Sequence, residues 1–381
     1  DKAKVGDKAI NYFDLISDTV YDISLTPNRA DAASHLGVAR DIKASQKREI
    51  ILPDVKKFNF SNDKKIEIDI QESSACPRYA GCVIGNIKIN ESSTEIKNLL
   101  VSIGINPINN VVDITNYVLH SLGQPLHAFD FDKISKEKII VRYGNKNEKF
   151  ITLDGVERKL KEDDLMICDG ENKPMCIAGV FGGESSGVTE ETKTIFLESA
   201  YFNPSDIRKS SLNHGLKTDA SYRFERGIDP NITVFALKFA SILINKYCEG
   251  DVISEIYDVY PKKIENRKIE IDYDRINNLI GQDVDTKRIN EILSLLDIKI
   301  EEKKNKILAD VPPYRVDVTR EADIVEEILR VYGYNNIKTS SKNQSNFLSD
   351  ESTGSYENNI LSKVMNMLVG SGFHEITTNS L

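Results

Sequence analysis

The sequence predicts an α+β, multidomain fold, and three observations carry that prediction. The chain has 381 residues, more than one hydrophobic core ordinarily serves. Its middle is a run of short alternating segments broken by Asp-Gly and Pro turns, whereas amphipathic helices flank it. A polar stretch poor in hydrophobics, "KTSSKNQSNFLSDESTGS", interrupts the pattern late in the chain and reads as a linker.

Each element has a local reason. "RADAASHLGVARDIKAS" spaces its apolar residues as a helix does, and "TPN" before it supplies Pro27 and Asn28 for a turn and a cap. "KKIEIDI" alternates like a strand, and "RYAGCVIGNIKI" is a second strand with interior glycines. "SSTEIKNLLVSIG" opens on serine and threonine caps and closes on Gly104. In "ITLDGVERKL", Asp154-Gly155 lies between two alternating runs, the mark of a hairpin. "LMICDGENKPMCIAGVFGG" repeats that arrangement, with Asp169-Gly170 and Pro174 in the connection. "TIFLESAYF" is a strand, "NPSDIRKSSLNHG" a short helix ending on Gly215, and "PNITVFALKFASILINKYCEG" a longer helix. From about residue 265 a new unit alternates: strand "KIEIDY", helix "TKRINEILSLLDI", strand "KILADVPPY", helix "READIVEEILRVYGY". After the linker, "YENNILSKVMNMLVGSGFHEITTNSL" reads as a helix, a glycine turn and a strand. No internal repeat is visible.

Composition narrows the function classes. Acidic side chains outnumber basic ones 59 to 50, for a formal charge of −9. A non-specific polyanion binder leans the other way, so any nucleic-acid contact must be a local basic patch. The five cysteines show neither CxxC nor metal spacing, and no secretory leader is evident, which points to a reducing cytosol. No apolar run reaches membrane-spanning length; "VFALKFASILINKYC" comes closest and is broken by two lysines.

Four stretches could carry chemistry. "LGQPLHAFDF", residues 122–131, sets His127, one of five histidines, between an apolar run and two aromatics. A core histidine, a metal ligand and a site residue all fit that setting. The glycines of "AGVFGGESSG" lack the lysine of a P-loop and fit tight turns better than a phosphate cradle. "KTDASYRFERG" interleaves Lys217, Arg223 and Arg226 with Tyr222 and Phe224; the basic residues could meet phosphates or pair with Asp219, Glu225 or Asp229. In "RVDVTREADIVEEILRVYGY", Asp323, Glu326, Glu327 and Arg330 share one helix face and Asp317 lies just upstream. Stacked like charges disfavour a helix, so the cluster is either a solvated helix start favoured by the dipole or a hard-cation site, with magnesium the better fit. No G-x-S-x-G occurs, and no cysteine lies in a catalytic signature.

Five stretches, "LTPNRADAASHLGVAR", "VVDITNYVLHSLGQPLHAFDFDKI", "GVFGGESSGVTEETKTIFLESAYF", "HGLKTDASYRFERGID" and "YRVDVTREADIVEEILRVYGY", follow one another across nearly the whole chain. Together they resemble the beta subunit of bacterial phenylalanyl-tRNA synthetase. On that resemblance, residues 1–65 are the end of a first structural domain with its linker, and 66–262 a central mixed α/β editing module. Residues 263–340 are a winged-helix-like domain, 341–354 a linker, and 355–381 the truncated start of a class II synthetase-like domain. A chain that begins at Asp1 and stops within "FHEITTNSL" then looks like an interior piece. The resemblance implies a cytoplasmic alpha2-beta2 heterotetramer in which the alpha subunit handles ATP and phenylalanine, with tRNA(Phe) as the other partner.

It also implies a pocket that removes tyrosine wrongly attached to that tRNA. The family's pocket residues match Thr115 and Asn116 in "DITN", His127 in "PLHAFD", Gly182 and Gly183 in "GVFGG", Glu198 in "FLES", and Thr218 and Ala220 in "LKTDAS". Glu198 would read the tyrosine hydroxyl, and Ala220 and the glycines would leave room for substrate. His127, Thr115 and Thr218 would orient substrate, terminal adenosine or water. Lys217, Arg223 and Arg226 would face the acceptor end. The family's magnesium site, shared with alpha, matches Asp317, Asp323, Glu326 and Glu327. A rival expectation is a scaffold whose pocket is degenerate.

Overall fold

The computed structural model describes residues 3–12, 18–303, 306–338 and 353–378. Its elements, in chain order, begin with the short helix α1 (Ala9–Tyr12) and helix α2 (His35–Gln46). Strands β1 (Glu67–Ile70) and β2 (Arg78–Gly85) precede helices α3 (Thr94–Ser102) and α4 (Asn110–Leu122). Then come β3 (Leu126–Asp130), β4 (Lys138–Tyr143), β5 (Lys149–Ile151), β6 (Glu157–Lys159), β7 (Leu165–Asp169), β8 (Pro174–Ile177), β9 (Phe181–Gly182) and β10 (Ile195–Tyr201). Helices α5 (Pro204–His214), α6 (Asp219–Phe224) and α7 (Thr233–Cys248) follow, with β11 (Asp251–Val252) and β12 (Tyr257–Val259) after them. The last elements are β13 (Arg267–Asp272), α8 (Tyr273–Ile280), α9 (Thr286–Leu295), β14 (Lys299–Lys303), β15 (Lys306–Val311), α10 (Glu321–Tyr332) and α11 (Thr353–Gly370).

Two five-stranded sheets build the central part. One runs β1-β4-β7-β8-β9, the other β11-β2-β10-β3 with β12 also on β2. Strand β2 is buried along its whole length, and β10 in all but its last residue, so both faces of the second sheet are covered. One face contributes Tyr79, Val83, Phe129, Phe196 and Ala200 to a core shared with Ile139, Val141, Leu165 and Ile167 of the first sheet. The other contributes Ala80, Cys82, Ile84, Ala128, Ile195 and Leu197 to a core shared with α3, α4 and α7. Alternation along each strand sends successive side chains to opposite cores. Each fully buried Ile, Leu or Phe adds about 1.5–3 kcal/mol.

Both hairpins form as the turn chemistry predicts, β5 with β6 and β7 with β8. Gly155 in the first has φ +74°, a conformation that disfavours a side chain. The first long helix differs from expectation. It starts at His35, not near Arg29, because the Ser34 hydroxyl accepts from the Gly37 amide. Residues 30–32 form a separate 3-10 turn. Asn28 caps nothing and instead reaches Asp317 Oδ2 at 3.5 Å. Residues 110–122, for which no element was expected, form α4, capped by Asn109 and stopped by Gly123 at φ +78°.

The unit from residue 265 is a three-stranded sheet ordered β13-β15-β14 with α8, α9 and α10. The expected strands and helices are present; α8 and β14 were not foreseen. By its internal contacts the chain divides at residue 336. In the second unit, α11 begins at Thr353, inside the stretch read as linker, whose residues 339–352 lie outside the described ones. Gly372 turns the chain after α11, and residues 373–378 form no strand. Among the described residues no helix is long and apolar enough to cross a membrane. All five cysteines are free and buried, and burial pushes the thiols of Cys82, Cys168 and Cys248 up to about 12.

Candidate functional site

Strand register assembles the centre of the site. Pairing β10 with β3 sets Glu198 opposite His127, and pairing β10 with β2 sets Glu198 opposite Gly81. All three therefore face the core between the two sheets. Glu198 is 5% exposed. The Tyr79 hydroxyl, two residues before Gly81, donates to Glu198 Oε2 at 2.8 Å. Burial pushes the Glu198 carboxyl up to about 8, opposed by the Tyr79 hydrogen bond alone. Among the described residues no cation compensates it.

His127 lies against the next strand. Its ring meets Phe129 edge-on, with centroids 4.5 Å apart. A Cβ on Gly182 would stand 2.9 Å from His127 Cε1, so the ring covers the Gly182 backbone and that position has no room for a side chain. Burial pushes the imidazole down to about 4, leaving it neutral at physiological pH. Its Nε2 is shielded and has no hydrogen-bond partner among the described residues. Gly183 serves packing: a Cβ there would come within 2.7 Å of the Met175 carbonyl and 2.8 Å of the Phe150 ring. The space at both glycines is thus filled by the protein's own groups, not left open as the sequence suggested.

Thr218 joins the same neighbourhood through the backbone. It caps α6, accepting from the Ser221 amide, and donates to the Val180 carbonyl at 3.0 Å, two residues before Gly182. Ala220, in the first turn of α6, packs on the inter-sheet core. Thr115 and Asn116 sit on α4, whose apolar side builds the other core. Thr115 Oγ1 donates to the Val112 carbonyl at 2.7 Å within its own helix. Among the described residues no hydrogen bond links Thr115 or Asn116 to Glu198, His127 or Thr218. The structure therefore brings Glu198, His127, Gly182, Thr218 and Ala220 to the inter-sheet core, and places Thr115 and Asn116 on α4, which packs on β3, the strand of His127.

The basic strip is mostly engaged internally. Arg223 is buried and donates to the Ala33 carbonyl, the Asp219 carbonyl and the Asp219 carboxylate. Arg226 pairs with Glu225 and lies 3.8 Å over the Tyr222 ring. Lys217 is exposed. A cavity of about 760 Å³ opens elsewhere, lined by Val20, Ile23, Val38, Leu99, Tyr117 and His120 among others. It includes none of Glu198, His127, Gly182 or Thr218, so volume alone does not mark the candidate site.

The acidic residues near α10 are met by arginines. Arg315 binds Glu327 Oε2 at 2.6 Å and Asp317 in a bidentate pair at 3.1 Å. Arg330 binds Glu327 and Asp41, and Asp41 binds Arg29. Burial disfavours the charge on Glu327, but the two guanidiniums outweigh it and bring the carboxyl down to about 2. Asp323 faces the start of its own helix, accepting from the Thr319 and Arg320 amides, and Glu326 is exposed. Among the described residues no group of three or more His, Cys, Asp or Glu side chains is placed to hold a metal ion. As arranged, the four carboxylates do not fit a magnesium site; a cation there would have to displace arginine contacts.

Comparison with known proteins agrees with both regions. The B3/4 domain family matches residues 75–249, which enclose the Glu198 group. The tRNA synthetase B5 domain family matches residues 269–334, which enclose α10 and its arginines. Phenylalanine–tRNA ligase beta subunits are similar along the whole chain. That of Bacteroides fragilis is 46% identical over 383 residues, covering 99% of this chain and 46% of its own. That of Porphyromonas gingivalis is 44% identical, covering 100% and 47%; that of Carboxydothermus hydrogenoformans is 41% identical, covering 100% and 47%. The chain belongs to the phenylalanine–tRNA ligase beta-subunit family.

It spans about half the length of the curated relatives it matches. A solved N-terminal fragment of the phenylalanyl-tRNA synthetase beta subunit from Pyrococcus horikoshii overlaps 82% of this chain and 86% of its own, at 19% identity and a TM-score of 0.43. Within the B3/4 region, Tyr79 is the partner of Glu198 that sequence reasoning missed. Its signal was present in "CPRYAGC", where alternation puts Tyr79, Gly81 and Val83 on one face. Only the β2–β10 register reveals that this face carries Glu198.

Proposed function

We propose that the B3/4 region of this chain hydrolyses tyrosine wrongly esterified to tRNA(Phe), as part of a phenylalanine–tRNA ligase beta subunit. The observation that supports this most is Glu198, a fully enclosed carboxyl with one phenol donor and no cation. A buried polar group left unpaired costs about 1–3 kcal/mol, so a second phenol arriving at Glu198 gains what a phenyl ring cannot. A site that hydrogen-bonds a hydroxyl rejects the analogue lacking it far better than an apolar pocket rejects the analogue that has it. Phenylalanine and tyrosine stand in that relation.

Water attack on the ester is the reaction this group supports. His127, neutral and with Nε2 unpartnered, is suited to accept from or donate to water, or to a ribose hydroxyl of the terminal adenosine. Ester hydrolysis gains mainly from holding the reactants in place, and Gly182 and Thr218 fix the ring and the chain beside it. Lys217 is the residue of the basic strip available to an acceptor-stem phosphate; Arg223 and Arg226 shape the α6 surface. Phenylalanine attachment with ATP belongs, on this reading, to an alpha subunit with which the chain assembles. Magnesium at Asp317, Asp323, Glu326 and Glu327 would require that partner to rearrange the arginine pairs, and no step proposed here runs through it.

The test is hydrolysis of preformed tyrosyl-tRNA(Phe) and phenylalanyl-tRNA(Phe) by the full alpha–beta complex with wild-type or Glu198→Ala beta chains. Selective loss of tyrosyl discrimination in the variant supports the reading. Absence of tyrosyl hydrolysis by the wild type overturns it in favour of a scaffold.

A further inference from the structure

We propose that Tyr79 is a positioning residue for substrate discrimination: its hydroxyl occupies one oxygen of Glu198 and reserves the other for the tyrosine of the substrate. The inference rests on the editing reading above and deepens it. Tyr79 is fully buried on β2, and its hydroxyl donates to Glu198 Oε2 at 2.8 Å. Its ring is held by Phe196, nearly parallel at 9° with centroids 6.4 Å apart. Gly81 makes that arrangement possible, since a Cβ there would come within 2.2 Å of the Phe196 ring. Three strand positions thus fix one phenol against one carboxyl oxygen.

A carboxyl has two oxygens and can serve two phenols at once. With Oε2 held by Tyr79, Oε1 is the oxygen a substrate hydroxyl can meet. If Glu198 is ionised, Oε1 accepts from the substrate phenol; if it is protonated, the proton sits on Oε1 and is donated to the phenol oxygen. Phenylalanine supplies neither partner in either state. The Tyr79 hydrogen bond also opposes the effect of burial on the carboxyl. Removing the hydroxyl therefore leaves the carboxyl free to turn and moves its titration to higher pH.

The experiment uses the full alpha–beta complex with wild-type, Tyr79→Phe or Glu198→Gln beta chains. Rates on tyrosyl-tRNA(Phe) and phenylalanyl-tRNA(Phe) are followed from about pH 6.5 to 8.5 and corrected for spontaneous hydrolysis. Tyr79→Phe keeps the ring and its packing, so the variant should fold as the wild type does, its melting temperature lowered only by the loss of one buried hydrogen bond. Discrimination should fall about tenfold, the size of one hydrogen bond, and its pH profile should move to the alkaline side. Glu198→Gln should lose that pH dependence altogether. If Tyr79→Phe retains wild-type discrimination and pH profile while Glu198→Gln loses both, the assignment of Tyr79 is overturned and the editing reading stands. If Glu198→Gln also behaves as wild type, the editing reading fails, and the inference fails with it.

Discussion

Glu198 and Glu327 are buried to almost the same degree, 5% and 4% exposed, and the chain treats them in opposite ways. Glu327 receives Arg315 and Arg330 and is held down at about 2 despite its burial. Glu198 receives one tyrosine hydroxyl, and burial raises it to about 8. Both are family glutamates that sequence alone offered as site residues. The contrast teaches that equal burial can leave two carboxyls in opposite electrostatic states, and that compensation decides which. Glu327 lies in a chain of charges, Arg29–Asp41–Arg330–Glu327–Arg315–Asp317, that joins the α2 region to the B5 unit. Glu198 keeps most of the cost of its burial, and perturbed carboxyls of that kind gather at functional sites.

Removing the compensation is the strongest way to break the contrast. Arg315→Ala leaves Glu327 buried with one guanidinium fewer, and loss of a partner from a buried pair costs about 3–5 kcal/mol. Denaturant unfolding of the chain should show a loss of that order. Glu198→Gln, which removes no partner charge, should leave stability equal or higher at neutral pH.

A smaller effect lies in the pH dependence of stability, where the two glutamates carry opposite signs. The folded value of Glu327, about 2, is below its ordinary 4.5. Its contribution is therefore complete above about pH 4.5 and lost as pH falls toward 2. The folded value of Glu198, about 8, is above the same ordinary value. There the native state keeps a proton that the unfolded chain releases, so stability declines as pH climbs from about 4.5 to 8. Unfolding curves should show Glu198→Gln flattening the neutral limb and Glu327→Gln altering the acid limb. Interchange of these two results would show that the compensation is assigned the wrong way round.

How much of this was legible in the sequence follows from which interactions are local. The hairpins at Asp154-Gly155 and Asp169-Gly170 were readable because a turn is determined by the residues within it. The helix at 35–46 was readable in its body but not at its start, since Ser34, not Asn28, provides the capping oxygen. Helix α4 carries several β-branched residues, and its helical state depends on the Asn109 cap and on packing against α7. At the site, the resemblance named Glu198 and His127, but only strand register places them opposite each other. The face that carries Tyr79 was legible from strand alternation, but its role was not, because that depends on a contact 119 positions away. The acidic cluster shows the converse: its spacing left a solvated helix start and a cation site both open, and the arginines that meet it, Arg315 and Arg330, stand in the same stretch of sequence, yet only the fold shows that they turn onto Glu327 and Asp317.

The most direct test of the central claim is a difference infrared titration of the Glu198 carboxyl, wild type minus Glu198→Gln, on the full-length protein. It should be run alone and with non-hydrolysable tyrosyl- or phenylalanyl-adenosine analogues. The account predicts a protonated carboxyl through neutral pH that titrates near 8 and is displaced by the tyrosyl analogue but not by the phenylalanyl one. A carboxyl titrating in the ordinary range, or displaced equally by both analogues, would contradict it.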